Sequence, residues 1–222
     1  MTIGKGTIWG RPGVLSAGSP TFDTDTALAA HLASLLGDHL PKIPAAQLRE
    51  PPIEYLSLLR DLPPIALTGG ALWRTIGGPG AIGRYATNEA RHYPCDLAVA
   101  VADGLQHLFV ASLVARNRWW TQAAVVMNAQ DMGAYRFGHR AHPGDALLDI
   151  YEAHIPFGDV RKIATRAKLG SHLPHPGITE RRLPAASFHF QHPRQLWLDE
   201  CRVGNVQQLS VHVVPDAFIV VV

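Results

Sequence analysis

The sequence predicts a mainly β protein, an antiparallel β-sandwich with a small helical segment before it. From residue 97 to the last residue, short apolar runs alternate with brief turns, which is typical of antiparallel sheets. The dipeptide Asp103-Gly104 separates two such runs and favours the positive φ angles of a tight hairpin turn. Only residues 159–169 interrupt these runs with a clear helical pattern. The fold class is therefore α+β, dominated by its sheet.

Each element follows from its local pattern. Apolar runs bounded by turn residues predict strands over 97–102, 105–114, 119–129, 147–154, 188–192, 196–199, 206–214 and 217–222. Pro215-Asp216 is predicted to form the last turn. Gly158 or Asp159 can cap the helix over 159–169, because small or acidic residues satisfy free amides at a helix start.

The segment before residue 65 has a different character. Residues 1–22 are rich in Gly, Pro, Ser and Thr, and we interpret them as an arm. A helix is predicted from Thr24-Asp25 to Gly37, with a second, short helix over 53–60. The first has an apolar stripe formed by Leu28, Leu32, Leu35 and Leu36. We therefore divide the chain into an N-terminal arm with short helices, residues 1–64, and a β-rich domain, residues 65–222.

Composition restricts the class of partner. The 20 basic and 18 acidic residues nearly balance, which disfavours a nucleic acid as partner. Two cysteines, Cys95 and Cys201, do not form a disulfide framework, so a reduced cytoplasmic protein is expected. No apolar window is long enough for a membrane helix. We expect a soluble protein whose membrane contact, if any, is peripheral.

Three stretches, in this order, resemble motifs of bacterial diacylglycerol kinases and sphingosine kinases of the NAD kinase-like superfamily. Residues 67–77 (LTGGALWRTIG) are similar to the family's Gly-Thr-x-Asn-Asp-Phe-Ala-Arg segment near the nucleotide. Ala71 and Leu72 replace its Asn-Asp pair. The resemblance makes Gly69, Gly70 and Arg74 degenerate nucleotide-side residues, with Cys95-Asp96-Leu97 opening the family's second domain.

The other two stretches imply acceptor-side residues. Residues 127–133 (MNAQDMG) and 142–149 (HPGDALLD) resemble the family's Asn-Gly-x-x-x-Gly and Asn-Asp-Gly-x-Leu-Asp. By this resemblance Asn128 is a candidate substrate contact and Asp145 belongs to a magnesium network. Residues 196–204 (LWLDECRVG) resemble the family's Asp-Gly-Glu motif, whose Asp activates the lipid hydroxyl. This makes Asp199 a candidate catalytic base.

The family's Gly-Gly-Asp-Gly-Thr run, whose backbone amides approach the ATP phosphates, does not occur in this sequence. Residues 1–68 also carry little βαβ pattern. The resemblance therefore implies the lipid-kinase second domain without a nucleotide-binding domain. We expect a protein that binds a lipid or small apolar ligand without catalysis and needs no cofactor, magnesium excepted. The alternative is a lipid kinase completed by a partner chain.

The residues themselves leave further alternatives open. Asp199 could equally be an idle acid at a strand end, and Asp145 with Asp149 could be a turn cap beside a surface acid. Arg116 and Trp119 belong to a stretch of cations and aromatics, RNRWW, that could bind a phosphorylated headgroup, lie at a membrane surface or form a packed hairpin end. Two His-x-x-His pairs, His139 with His142 and His172 with His175, raise a histidine metal site against ordinary surface histidines. Oligomeric state does not follow from the sequence.

Overall fold

The computed structural model describes residues 9–37, 59, 61–81 and 83–222. It confirms the mainly β class, because strands make up most of the regular structure. The strands are β1 Arg11–Pro12, β2 Thr21–Phe22, β3 Ile65–Leu67, β4 Arg91–Ala102, β5 Leu105–Phe109, β6 Ser112–Arg116, β7 Gln122–Met127, β8 Leu148–His154, β9 Ile178–Leu183, β10 Ala185–Leu198 and β11 Cys201–Val221. The helices are α1 Asp25–Leu36, α2 Gly70–Thr75 and α3 Phe157–Ala167, with single 3₁₀ turns at Gly78–Ala81 and Arg84–Ala86.

The eleven strands of the described residues belong to one hydrogen-bonded sheet. Its main path runs β1-β4-β11-β10-β6-β7-β8-β9, with β5 beside β4 and with β3 parallel to both β11 and β2. The remaining pairings are antiparallel. The sheet folds around an interior of small and branched side chains from seven strands, β4 to β8, β10 and β11. Two layers thus share long strands, as a sandwich requires.

The longest strands, β10 and β11, were each predicted as two. The apolar runs are interrupted at Pro193 and Pro215, which cannot donate to a ladder. In the structure the register shifts between His189 and Arg194 and again between Val214 and Phe218. A bulge accommodates each proline, so the strand continues and there is no turn at Pro215-Asp216.

Helix α1 covers one outer face of the sheet. The Thr24 hydroxyl accepts the amide of Ala27 at 3.3 Å and caps the helix. Leu28, Leu32 and Leu36 are buried against β3, β4 and β11, while Leu35 is exposed. Since β1 and β2 also pair with the sheet, residues 9–37 share the core of the domain. The helix predicted over 53–60 lies outside the described residues except for Leu59.

Helix α3 covers the sheet near β7 and β8, and this face carries the functional site. Ile163 and Ala167 are buried there against Phe137 and Tyr151. The helix begins two residues before the predicted start. The next strand, β9, was not predicted, because its sequence ITERRL is too charged to form an apolar run. No helix in the described part of the chain is long and apolar enough to cross a membrane.

Candidate functional site

An apolar cavity lies between helix α3 and the sheet. Its volume is about 280 Å³. Strands β7, β8 and β9 form its floor, α3 its roof and the loop after β7 one wall. The side chains are almost all apolar: Trp120, Ala123, Val125, Met132, Tyr135, Phe137, Ala153, Ile155, Val160, Ile163, Ala164, Ala167 and Ile178. A space with such walls suits a hydrocarbon group.

A second, outer cavity of about 290 Å³ adjoins the first. Trp120, Met132 and Tyr135 line both, so the two spaces share a wall. The outer cavity has polar and charged members as well as aromatic ones: Ser112, Val114, Arg116, Gly133, Trp197 and Glu200. An apolar chamber beside a polar one matches an amphipathic molecule.

Arg116 is the cation of the outer cavity. Its guanidinium lies 4.6 Å from the ring centroid of Trp120 and 5.5 Å from that of Trp197. One terminal nitrogen donates to the carbonyls of Asn117 at 3.2 Å and Arg118 at 3.4 Å. Burial, with the nearby charge of Arg202, lowers the pKa of Arg116. Two aromatic faces therefore hold the side chain in one orientation.

The carboxylate of Asp199 points into the protein, where it accepts three backbone amides. These are Val110 at 2.9 Å, Ala111 at 2.8 Å and Ser112 at 3.0 Å. The bonds lie where β5 ends and β6 begins, and they explain why the run predicted over 105–114 forms two strands. Burial and the nearby Asp25 raise the pKa of Asp199 to about 7, although the amides oppose the shift.

Glu200, which sequence reasoning did not select, is the acid that lines the outer cavity. It accepts the amide of Gly133 at 2.8 Å. Asp199 and Glu200 both adopt positive φ, 44° and 68°, in the turn that joins β10 to β11. This turn sends the two carboxylates to different surroundings. The signal available was an acid at a strained turn position that normally favours glycine or asparagine.

Residues 67–77, the segment predicted to lie near the nucleotide, are bound by the carboxylate of Asp25. Gly70 has φ 92° and opens helix α2. The buried carboxylate of Asp25 accepts the amides of Ala71 and of Leu72, the latter at 3.1 Å. Those are the free amides that a bound anion would take at a helix start. Burial raises the pKa of Asp25, while the two amides oppose the shift.

Arg74 joins this segment to the rim of the outer cavity. Its Nε lies 3.2 Å from a carboxylate oxygen of Asp131, and a terminal nitrogen donates to the carbonyl of Gly133 at 3.3 Å. Gly133 also binds Glu200. Arg74 and Glu200 therefore meet at Gly133, whereas Gly69 and Gly70 lie at the start of α2.

Asn128 and Trp119 lie away from both cavities. Asn128 is fully buried, and its amide nitrogen donates to the carbonyls of Asp96 at 3.0 Å and Val110 at 2.9 Å. Trp119 is 55% exposed and packs edge-on against Phe157, which is 66% exposed. Asn128 thus braces the loops beside Asp199, and Trp119 belongs to an exposed aromatic pair.

Asp145 lies in an ion-pair cluster distinct from both cavities. Arg182 donates to Asp145 and, through Nε at 2.7 Å, to the fully buried Asp149. A guanidinium thus holds the oxygens that were predicted to bind magnesium. Within residues 9–37, 59, 61–81 and 83–222, no three His, Cys, Asp or Glu side chains are grouped as a metal site. His172 of the second His-x-x-His pair is buried and stacks on Phe137 at 4.4 Å.

Solved structures share this arrangement of strands and helices. A diacylglycerol kinase from Bacillus anthracis str. Sterne matches 72% of this chain and 66% of its own with a TM-score of 0.53 and 15% identity. The chain shares the diacylglycerol-kinase fold. Two further structures from the same organism give TM-scores of 0.54 at 12% and 13% identity, with 72% and 69% of the two chains covered.

The similarity to these kinases concerns the fold, since the identities are low. The matched region spans about two thirds of their length. No protein-family model matches the sequence, and no curated protein sequence is significantly similar to it. Any functional conclusion therefore depends on the site itself.

Proposed function

We propose that the chain binds a lipid or another small apolar ligand without transferring a phosphoryl group. The observation that carries the proposal is the apolar cavity of about 280 Å³ beneath α3, which shares a wall with an outer cavity lined by charged residues. Ligand sites in proteins are mostly apolar clefts with a few placed polar groups. A lipid would place its chain under α3 and its head between Arg116 and Glu200.

Two features support the absence of catalysis. The amides at the start of α2 bind the carboxylate of Asp25, so they are not open to a phosphate. The carboxylate of Asp199, the predicted base, accepts three backbone amides and is 4% exposed. A general base must reach the proton it removes. On this proposal Asp199 has a structural role, and the chain needs no nucleotide-binding domain.

The cavity can be tested by filling it. Ala164→Trp places an indole in the apolar cavity from the α3 side, whereas Thr165→Trp places one on the exposed face of the same helix. Native mass spectrometry of the gently purified chain should show a co-purified lipid in the wild type and in Thr165→Trp. Ala164→Trp should lose it while keeping a cooperative thermal transition. A wild-type mass without adduct in repeated preparations contradicts the proposal.

The alternative, a lipid kinase completed by a partner chain, is favoured by the position of Glu200. This acid lines the outer cavity beside Arg74, at the place where the fold brings nucleotide-side and acceptor-side segments together. Calorimetry with magnesium-ATP separates the two functions. The binding proposal expects no heat from the isolated chain. Micromolar binding would favour the kinase, with magnesium as its cofactor.

We further propose peripheral contact with a membrane, in the cytoplasm, through the exposed pair Trp119 and Phe157. Arg118 lies over the Trp119 ring at 5.1 Å, which adds a positive charge to the two aromatic rings. Aromatic rings with adjacent cations favour the interface of anionic bilayers. Sedimentation with phosphatidylglycerol vesicles should recover the wild type, and a Trp119→Ser, Phe157→Ser double variant should stay in solution. Equal recovery of both would refute this contact.

A further inference from the structure

Two side chains of the outer cavity carry hydrogen-bond donors that have no acceptor among the described residues. The indole Nε1 of Trp197 is buried and has no hydrogen-bond partner within the described residues. The Nε and second terminal nitrogen of Arg116 also lack one there, since its bonds to the Asn117 and Arg118 carbonyls use a single nitrogen. Both side chains line the same space. The Trp197 nitrogen is buried, and a buried donor without a partner costs free energy and calls for an explanation.

Charge indicates what kind of acceptor is missing. Among the described residues Arg116 forms no ion pair, whereas the carboxylate that shares its cavity, Glu200, is held by the Gly133 amide. The guanidinium lies over the rings of Trp120 and Trp197, and all three side chains line the outer cavity. A guanidinium with exposed edge donors binds carboxylates and phosphates best.

The volume of the apolar cavity indicates the size of the ligand's tail. At about 280 Å³ it falls just below the range of roughly 300–1,000 Å³ that holds drug-sized ligands. Its walls are almost all apolar, and Trp120 and Tyr135 are the lining residues with a nitrogen or oxygen atom in the side chain. One hydrocarbon chain therefore suits it better than two.

We propose that the site selects a single-chain amphiphile with an anionic head, whose carboxylate or phosphate binds Arg116 and the Trp197 indole while its tail enters the apolar cavity. This rests on the proposed binding function and specifies its ligand class. A fatty acid and a lysophospholipid with a terminal phosphate share this chemistry. A neutral monoacylglycerol with the same chain lacks the anion and should bind more weakly.

Calorimetry on the delipidated chain tests the ligand class with three palmitoyl probes below their micellar concentration: palmitate, palmitoyl lysophosphatidate and monopalmitin. At least one anionic probe should bind about tenfold or more tightly than monopalmitin, the factor expected for one charge-assisted hydrogen bond. Palmitate and lysophosphatidate then show whether carboxylate or phosphate is preferred. Arg116→Gln should remove the anion preference and retain monopalmitin binding. Arg91→Gln, an exposed β4 arginine that lines neither cavity, should keep the preference.

A second variant covers the case in which Arg116→Gln does not fold. Trp197→Phe keeps an aromatic ring and removes the indole N–H together with the second ring, so it should weaken anion binding severalfold while the chain keeps a cooperative thermal transition. Equal affinity for all three probes, or an anion preference that survives both substitutions, overturns the ligand class and leaves the proposed lipid-binding function intact. Binding of none of the probes overturns both.

Discussion

Substitutions of two neighbouring arginines in β9 are expected to cost very different amounts of stability. Arg182 contacts Asp145 and Asp149, whose side chains are 17% and 0% exposed. Arg181 pairs with Glu152, and both of those side chains are nearly half exposed. Replacing each arginine by methionine keeps an unbranched stem of similar length and removes only the charge and the donors. The two variants are therefore matched in sequence position, strand and substituent.

The expected magnitudes follow from burial. Removing one partner of a buried pair costs about 3–5 kcal/mol because an uncompensated charge is left behind. Arg182 itself is 25% exposed, so we expect about 3 kcal/mol for Arg182→Met, at the lower end. An exposed pair contributes roughly 0–1 kcal/mol, so Arg181→Met should cost less than about 1 kcal/mol. Urea unfolding at pH 8, followed by circular dichroism, measures both.

The pH dependence of the same variant checks the cause. Burial raises the pKa of Asp149, and the hydrogen bond and charge of Arg182 lower it. Without Arg182 the pKa of Asp149 in the folded state rises further above its unfolded value. The ionised Asp149 carboxylate then destabilises the folded state once the pH exceeds the unfolded pKa. The penalty disappears as pH falls towards about 4. The loss in Arg182→Met should therefore shrink from pH 8 to pH 5. Equal losses in the two variants, or a loss independent of pH, would refute this reasoning.

The same variant tests the predicted magnesium site at Asp145. If a guanidinium and a divalent ion can hold the same oxygens, millimolar magnesium should raise the unfolding midpoint of Arg182→Met. The wild type should not respond, because Arg182 already binds both acids. No response in the variant would show that Asp145 and Asp149 do not converge on an ion, and Asp145 would then be a structural acid.

Three further predictions concern single positions. Asp199→Ala leaves three buried amides without an acceptor and should cost about 3 kcal/mol in urea unfolding, whereas Asp103→Ala, at an exposed hairpin turn, should cost about 1 kcal/mol. Gly70→Ala would bring a Cβ to 2.5 Å from the carboxylate that caps α2, and should lower the thermal midpoint by more than Gly77→Ala, whose φ is similar but whose Cβ meets open space. Burial raises the pKa of Asp96 to about 7, so the folded chain binds a proton that the unfolded chain has lost. Stability should fall by up to about 4 kcal/mol as pH rises from about 4 to 7, and Asp96→Asn should flatten that slope.

The fold was largely predictable because residues that become buried recur at regular intervals in the sequence. Helix α1, strand β8 and the Asp103-Gly104 turn were found at or near their observed bounds from apolar spacing and turn chemistry alone. Strand β9 was missed because it pairs with β8 at the edge of the sheet, and its charged sequence contains no apolar run. The continuity of β11 through Pro215 was missed because a bulge is a property of the pairing and leaves no local signal.

The site was less predictable, because its chemistry depends on which way each acid points. Sequence position made Asp199 a candidate catalytic base and Asp145 a candidate magnesium ligand. The turn joining β10 to β11 directs Asp199 inward and Glu200 outward, a difference between adjacent residues that no motif records. The apolar cavity brings residues of β7 and β8 beneath α3, a juxtaposition that exists only after the chain has folded.

The acids and amides that a phosphoryl-transfer site would offer to a ligand are bound within the chain at three places. The carboxylate of Asp25 accepts the first amides of α2, and that of Asp199 accepts amides between β5 and β6. Arg182 forms an ion pair with Asp145. Groups satisfied in this way stabilise the fold, and opening them to a ligand would cost the free energy of each bond. Arg116 and Trp197 line the outer cavity and carry N–H groups without an acceptor among the described residues, and this cavity shares a wall with the apolar one. The N–H groups of Arg116 that have no acceptor among the described residues lie beside an apolar cavity, and they support the proposed capture of an anionic amphiphile.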